Sequence, residues 1–143
     1  MYQNLNPEKD IEFIYYNYKL SRKEVYYYIF LRNNFDTNMS ANIISWDLGR
    51  ATSLARWGYQ VGYLSEAEAW NILLYFGRQI QRNYNSWEEY GDSYSYGRVF
   101  WASGFGKAEE YYFETKKTLD ILFSNNGLWK KLRWDTSLFN LKY

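Results

Sequence analysis

Ser65-Glu66-Ala67-Glu68-Ala69-Trp70-Asn71-Ile72-Leu73-Leu74-Tyr75-Phe76-Gly77-Arg78-Gln79-Ile80 decides the fold class. A serine followed three residues later by a glutamate forms a capping box. The hydroxyl accepts from a free first-turn amide, and the carboxylate reaches back to the serine amide. Behind it, Ala69, Trp70, Leu73, Leu74, Phe76 and Ile80 make one broad apolar face at helical spacing. The same punctuation recurs at Ser21-Arg22-Lys23-Glu24 and at Ser86-Trp87-Glu88-Glu89. Asn6-Pro7-Glu8 marks another start, with a capping residue, a proline at the first helical position and a carboxylate in the first turn. A good cap contributes about 1 kcal/mol. Three boxes in 143 residues exceed chance and divide the chain into helix-length pieces.

Working outward, the spacing predicts helices near 7–19, 22–34, 43–60, 66–83, 87–103 and 107–123. Ile44, Leu48, Ala51, Leu54, Ala55, Gly58 and Val61 share helical periodicity, and Gly62 stands where a left-handed residue ends a helix. Gly97 inside the fifth helix costs about 1 kcal/mol relative to alanine, which a close helix crossing would offset. Tyr26-Tyr27-Tyr28-Ile29-Phe30 has strand-like composition, but it follows a capping box and lacks alternation, so it reads as helix. Ser124-Asn125-Asn126-Gly127 ends the sixth helix, and 128–143 reads as a docked irregular segment. The expected fold is all-α: a compact bundle of about six helices with a C-terminal irregular segment. No linker parts the chain, so one domain is expected over 1–143.

Composition narrows the function. There are 17 basic and 16 acidic residues, split 7 and 6 over 1–60 and 10 and 10 over the rest. A balanced chain without a basic footprint makes nucleic acid an unfavoured partner. The absence of cysteine excludes disulfides and thiolate metal sites. The absence of histidine removes the commonest general base and metal ligand. No cofactor or metal is expected. No basic segment leads an apolar run at the start, and no stretch approaches the ~20 apolar residues of a membrane span. A soluble, cytoplasmic chain without a membrane partner is the expectation. Aromatic residues make up 23%, with 17 Tyr and 7 Trp. Such residues fill a core and its sub-surface shell, or form an exposed contact surface.

Several motifs occur in register. They are Trp46-Asp47-Leu48-Gly49-Arg50, Leu54-Ala55-Arg56-Trp57-Gly58-Tyr59, and Gly62 to Trp70. Ser86 to Tyr90, Tyr94, Gly97-Arg98, Phe100-Trp101 and Leu128 to Asp135 follow. Over about 43–136 this order resembles the domain-of-unknown-function family numbered 1266; residues 1–40 carry no such motif. The resemblance implies a bacterial-type, predominantly helical domain and no assigned activity, so no catalytic residue carries over. Arg133 stands where the family pattern has proline before Trp134-Asp135, which implies a different local turn.

Two residue sets are candidates. Asp47 and Arg50 are neighbours on one helix face, with Arg56, Tyr94 and Arg98 at helical intervals beyond. Either Asp47 bridges to Arg50 or Arg98 and knits two helices, or the set forms a pocket for an anionic ligand. The second set is Tyr15, Tyr16, Tyr18, Tyr26, Tyr27, Tyr28, Trp129 and Trp134, an aromatic surface for a partner. Glu66, Glu68, Glu88 and Glu89 read as first-turn carboxylates at helix dipoles rather than a catalytic or metal pair. Gly104-Phe105-Gly106-Lys107 lacks the remaining residues of a phosphate loop. The leading expectation is a non-catalytic protein that docks on another protein, of immunity or inhibitor type. An anion-binding enzyme or receptor, and a single-stranded nucleic-acid binder, are the alternatives.

Overall fold

The computed structural model describes residues 13, 15–21, 24, 25 and 44–138. Among them run α1 (Ile44–Gln60), α2 (Glu66–Asn83), α3 (Trp87–Ser103), α4 (Ala108–Phe123) and the single turn α5 (Leu128–Lys131). The chain is all-α, with no strand among the described residues. The four helices expected from 43 onward lie within one residue of α1 to α4. Those expected at 7–19 and 22–34 fall largely outside the described residues, within which 13, 15–18, 24 and 25 are helical.

Two of the three capping boxes close fully. Ser65 Oγ accepts from the Glu68 amide at 3.3 Å, and Glu68 accepts from the Ser65 amide at 2.8 Å. The Ser65 hydroxyl also donates to the Glu68 carboxylate at 2.7 Å, and this bond first, with that from the Ser65 amide, holds the carboxyl below its usual range. Ser21 and Glu24 repeat the pattern at 3.3 and 2.7 Å. The third box is one-sided. Ser86 Oγ accepts from the Glu89 amide, but Glu89 turns to the backbone and side-chain amides of Asn85, at 2.7 and 2.9 Å.

Gly62 ends α1 as expected, at φ 80°. Its amide donates to Tyr59 O at 3.0 Å, and the Tyr63 amide reaches back to Gly58 O at 2.8 Å. This pair of bonds defines a Schellman stop. It reverses the chain within residues 61–65, so α2 returns beside α1 as a helical hairpin.

Helix α3 sits at the centre, with α1 and α4 packed against it. Its buried residues are mostly small: Gly91, Ser93, Ser95, Gly97, Val99, Ala102 and Ser103. Small residues on opposite sides of this helix let α1 and α4 both approach closely. A buried hydrogen-bond chain crosses the interface from Ser45 Oγ to Ser93 Oγ (2.9 Å) and on to the Tyr84 hydroxyl (3.1 Å). Around it lies the aromatic core: Leu48, Tyr84 and Tyr90, with Phe76, Ile80, Trp87, Tyr94, Trp129 and Trp134 packed against them. Burial pushes the Tyr90 hydroxyl well above its ordinary pKa.

The segment after α5 is irregular and docked, as expected, although residues 128–131 form a turn of helix first. Three side chains hold it by its carbonyls. Trp87 Nε1 donates to Leu132 O (2.8 Å), Gln81 Nε2 to Trp134 O and Thr136 O (2.8 Å each), and Arg78 Nε to Leu138 O (2.9 Å). At the position of the family's proline, Arg133 forks onto Asp135 with bonds of 2.9 and 2.6 Å.

Candidate functional site

The polar set expected from the sequence divides. Arg50, Tyr94 and Arg98 come together on α1 and α3, while Asp47, one turn before Arg50, and Arg56 stand exposed on α1 without joining them. The Arg50 guanidinium lies over the rings of Trp46 (5.7 Å) and Trp101 (5.9 Å). Arg98 stacks on Tyr111 at 4.7 Å and donates to Glu114 (2.9 Å) and Thr115 (3.2 Å) of α4. Burial raises the pKa of Tyr94, and the nearby charges of Arg98 and Arg50 partly oppose that.

The expected bridge from Asp47 is therefore not formed. Arg50 is drawn onto two indoles, Arg98 is engaged by α4, and Asp47 is exposed with no ion-pair partner among the described residues. Asp47→Ala should accordingly change stability by no more than about 0.5 kcal/mol, roughly 2 °C in Tm. A drop beyond about 8 °C in thermal melting would restore the bridge. Two other donors of this nest are closed off, although Arg50 itself is exposed. Trp46 Nε1 and Arg98 Nε are buried without an acceptor, enclosed by neighbouring rings and helices. Neither donor is open to an incoming anion.

The aromatic set divides as well. Tyr15, Tyr16 and Tyr18 are exposed, Tyr16 at 75%. Tyr26, Tyr27 and Tyr28 lie outside the described residues. Trp129 and Trp134 are core rings: Trp87 stacks on Trp129 at 4.9 Å and meets Trp134 edge-on at 4.9 Å. Their burial against α3 takes them off the expected contact surface.

Arg56 leads to the site that sequence reasoning missed. A groove of about 550 Å³ runs between α1 and α2, lined by Arg56, Trp57, Tyr59, Gln60, Glu66, Ala69, Trp70 and Leu73. That volume falls within the ~300–1,000 Å³ of typical binding sites. On α2 the lining positions 66, 69, 70 and 73 share one helix face. Trp57 is 60% exposed and Trp70 38%, and at the hairpin tip Tyr63 is 87% exposed. Arg56 and Glu66 carry opposite charges, yet they form no ion pair with each other or with any other described residue.

A signal for this groove was present in α1. Leu54 and Val61, which the spacing placed on the apolar face, form an i, i+3, i+7 stripe with Trp57. The core instead takes Ser45, Leu48 and Ala55. The stripe lies on the other side of the helix and stays exposed. Glu66 was assigned to the dipole of α2, but Glu68 alone completes the cap. Among the described residues no cluster of acidic side chains could hold a metal ion, and no helix is long and apolar enough to cross a membrane.

A family model described as "Protein of unknown function (DUF1266)" matches residues 3–134. The match begins forty residues before the motifs that carried the resemblance, so the N-terminal segment lies within the family's extent. No curated protein and no solved structure matches the chain.

Proposed function

This chain belongs to the DUF1266 family, and we propose that it is a non-catalytic binding protein whose α1–α2 groove docks on another protein. The observation that carries the reading is the exposure of Trp57, Tyr59 and Trp70 around one groove with Arg56 on its wall. Tryptophan, tyrosine and arginine dominate binding energy at protein interfaces. Large aromatic rings exposed together at one place mark an interaction surface. The lack of histidine and cysteine weighs against nucleophilic and general-base chemistry. An immunity or inhibitor role in the bacterial cytoplasm is the form of this reading we favour, by analogy with other small helical domains.

Affinity purification from the native cell with the tagged full chain, alongside its Trp57→Asp variant, tests the reading. We expect a stoichiometric protein on the wild-type chain. Loss of one hot-spot ring costs at least about 2 kcal/mol, roughly thirty-fold in affinity, so the variant should release it. The same proteins on both chains, or none on either, would overturn the proposal.

A further inference from the structure

The groove has a direction, because its two charges sit at different levels. Helices α1 and α2 form an antiparallel hairpin closed by residues 61–65. Gln60 and Glu66 therefore flank the tip, and Arg56 lies one turn further in, level with Trp70 and Leu73. Four residues at 1.5 Å rise put about 6 Å between the two levels. One end of the groove is thus acidic, the other basic, and aromatic rings stand between them. Neither charge is neutralised among the described residues.

Resting on the docking reading above, we propose that the occupant of this groove is an α-helix of the partner protein, laid along the hairpin as a third helix. That helix carries an acidic residue facing Arg56 and a basic residue one turn away facing Glu66. Its apolar residues lie between and beside them, against Trp57, Trp70 and Leu73. The geometry favours a helix for two reasons. A cleft between two helices runs parallel to their axes and accepts the ridges of another helix. The axial offset of about 6 Å between the two levels also matches one helical turn, the spacing at which a helix lying along the groove places two side chains on one face. A segment bound by β-strand addition would need a sheet edge, and no strand occurs among the described residues.

Selection from a displayed library of amphipathic helices against the full chain tests this, with Trp57→Asp as the counter-selection. Enriched peptides should carry apolar residues at i, i+3, i+4 and i+7, with an acid and a base one turn apart in a single fixed order. Selection against the doubly substituted chain Arg56→Glu, Glu66→Arg should enrich the opposite order. Purified peptides of the two orders should differ at least ten-fold in Kd, with the preference reversing between the two chains. Both substitutions are at exposed positions, and circular dichroism verifies that the variant is folded. Four results would overturn the proposal: enriched extended motifs, no enrichment, no dependence on charge order, or a self-association that Trp57→Asp abolishes. The last would make a second copy the occupant. If Trp57→Asp releases the native partner while charge order has no effect, the docking reading stands and the helix inference alone falls.

Discussion

Gly127→Ala should lower the melting temperature by about 10 °C or more. Gly127 is buried at the start of α5, with φ −66° and ψ 148°, a conformation open to any residue. The obstacle is space. A β-carbon there would collide with the carbonyl oxygens of Leu122 and Ile121, and would lie 2.5 Å from the latter. Both oxygens belong to the last turn of α4, so no side chain can rotate away. Relief requires α5 to move, and Trp129 sits on α5 with Gly91 of α3 beneath it. Overpacking against a buried backbone costs about 3 kcal/mol, at roughly 3–5 °C each for a chain of this size. Gly62 is the internal comparison. Its φ of 80° is strained for alanine, but nothing lies within 4 Å of the added carbon. Gly62→Ala should therefore lose only about 1 kcal/mol. Equal Tm values for the two variants in calorimetry would show that α4 and α5 are not locked at Gly127.

Trp87→Ala should cost about 2–3 kcal/mol, at or below the low end of the range for core aromatics because the ring is half-buried. The ring joins three parts of the fold. It stacks on Trp129, meets Trp134 edge-on, and donates to Leu132 O. Its loss should free residues 132–138 as well as weaken the core. Limited proteolysis should then cut that segment before α2 and α3 are attacked. Trp87→Phe separates the two contributions. It keeps a ring against Trp129 and loses the donated bond, which is exposed and contributes about 0.5–1.5 kcal/mol. An alanine variant whose C-terminal segment resists protease as the wild type does would show that Gln81 and Arg78 alone hold it.

Most of the fold from residue 44 onward was legible, because caps and periodicity are local. Ser65, Gly62 and the 3.6-residue spacing act within one or two turns, and no distant contact overrides them here. The third box departed from expectation because Asn85 offered Glu89 a competing pair of amides. The candidate site was far less legible. Apolar spacing says which residues share a face but not whether a neighbour covers it, so Leu54 and Val61 read as part of the apolar face although both are exposed. Asp47 and Arg98 are fifty-one residues apart, and nothing local announces that α4 supplies Glu114 to Arg98 instead. Trp129 and Trp134 read as contact residues because an aromatic tail looks the same whether it faces solvent or is folded back onto Trp87.

The C-terminal segment has a consequence for how this sequence can drift. Trp87, Gln81 and Arg78 all grip its carbonyl oxygens. Every residue type presents the same oxygen, so these ties do not read the segment's side chains. Replacement at exposed positions such as Ser137 leaves all three intact. Insertion or deletion of a single residue is another matter, because it moves every later oxygen out of register with its donor. Lineages of this domain should therefore vary in the spelling of this stretch and hold its length.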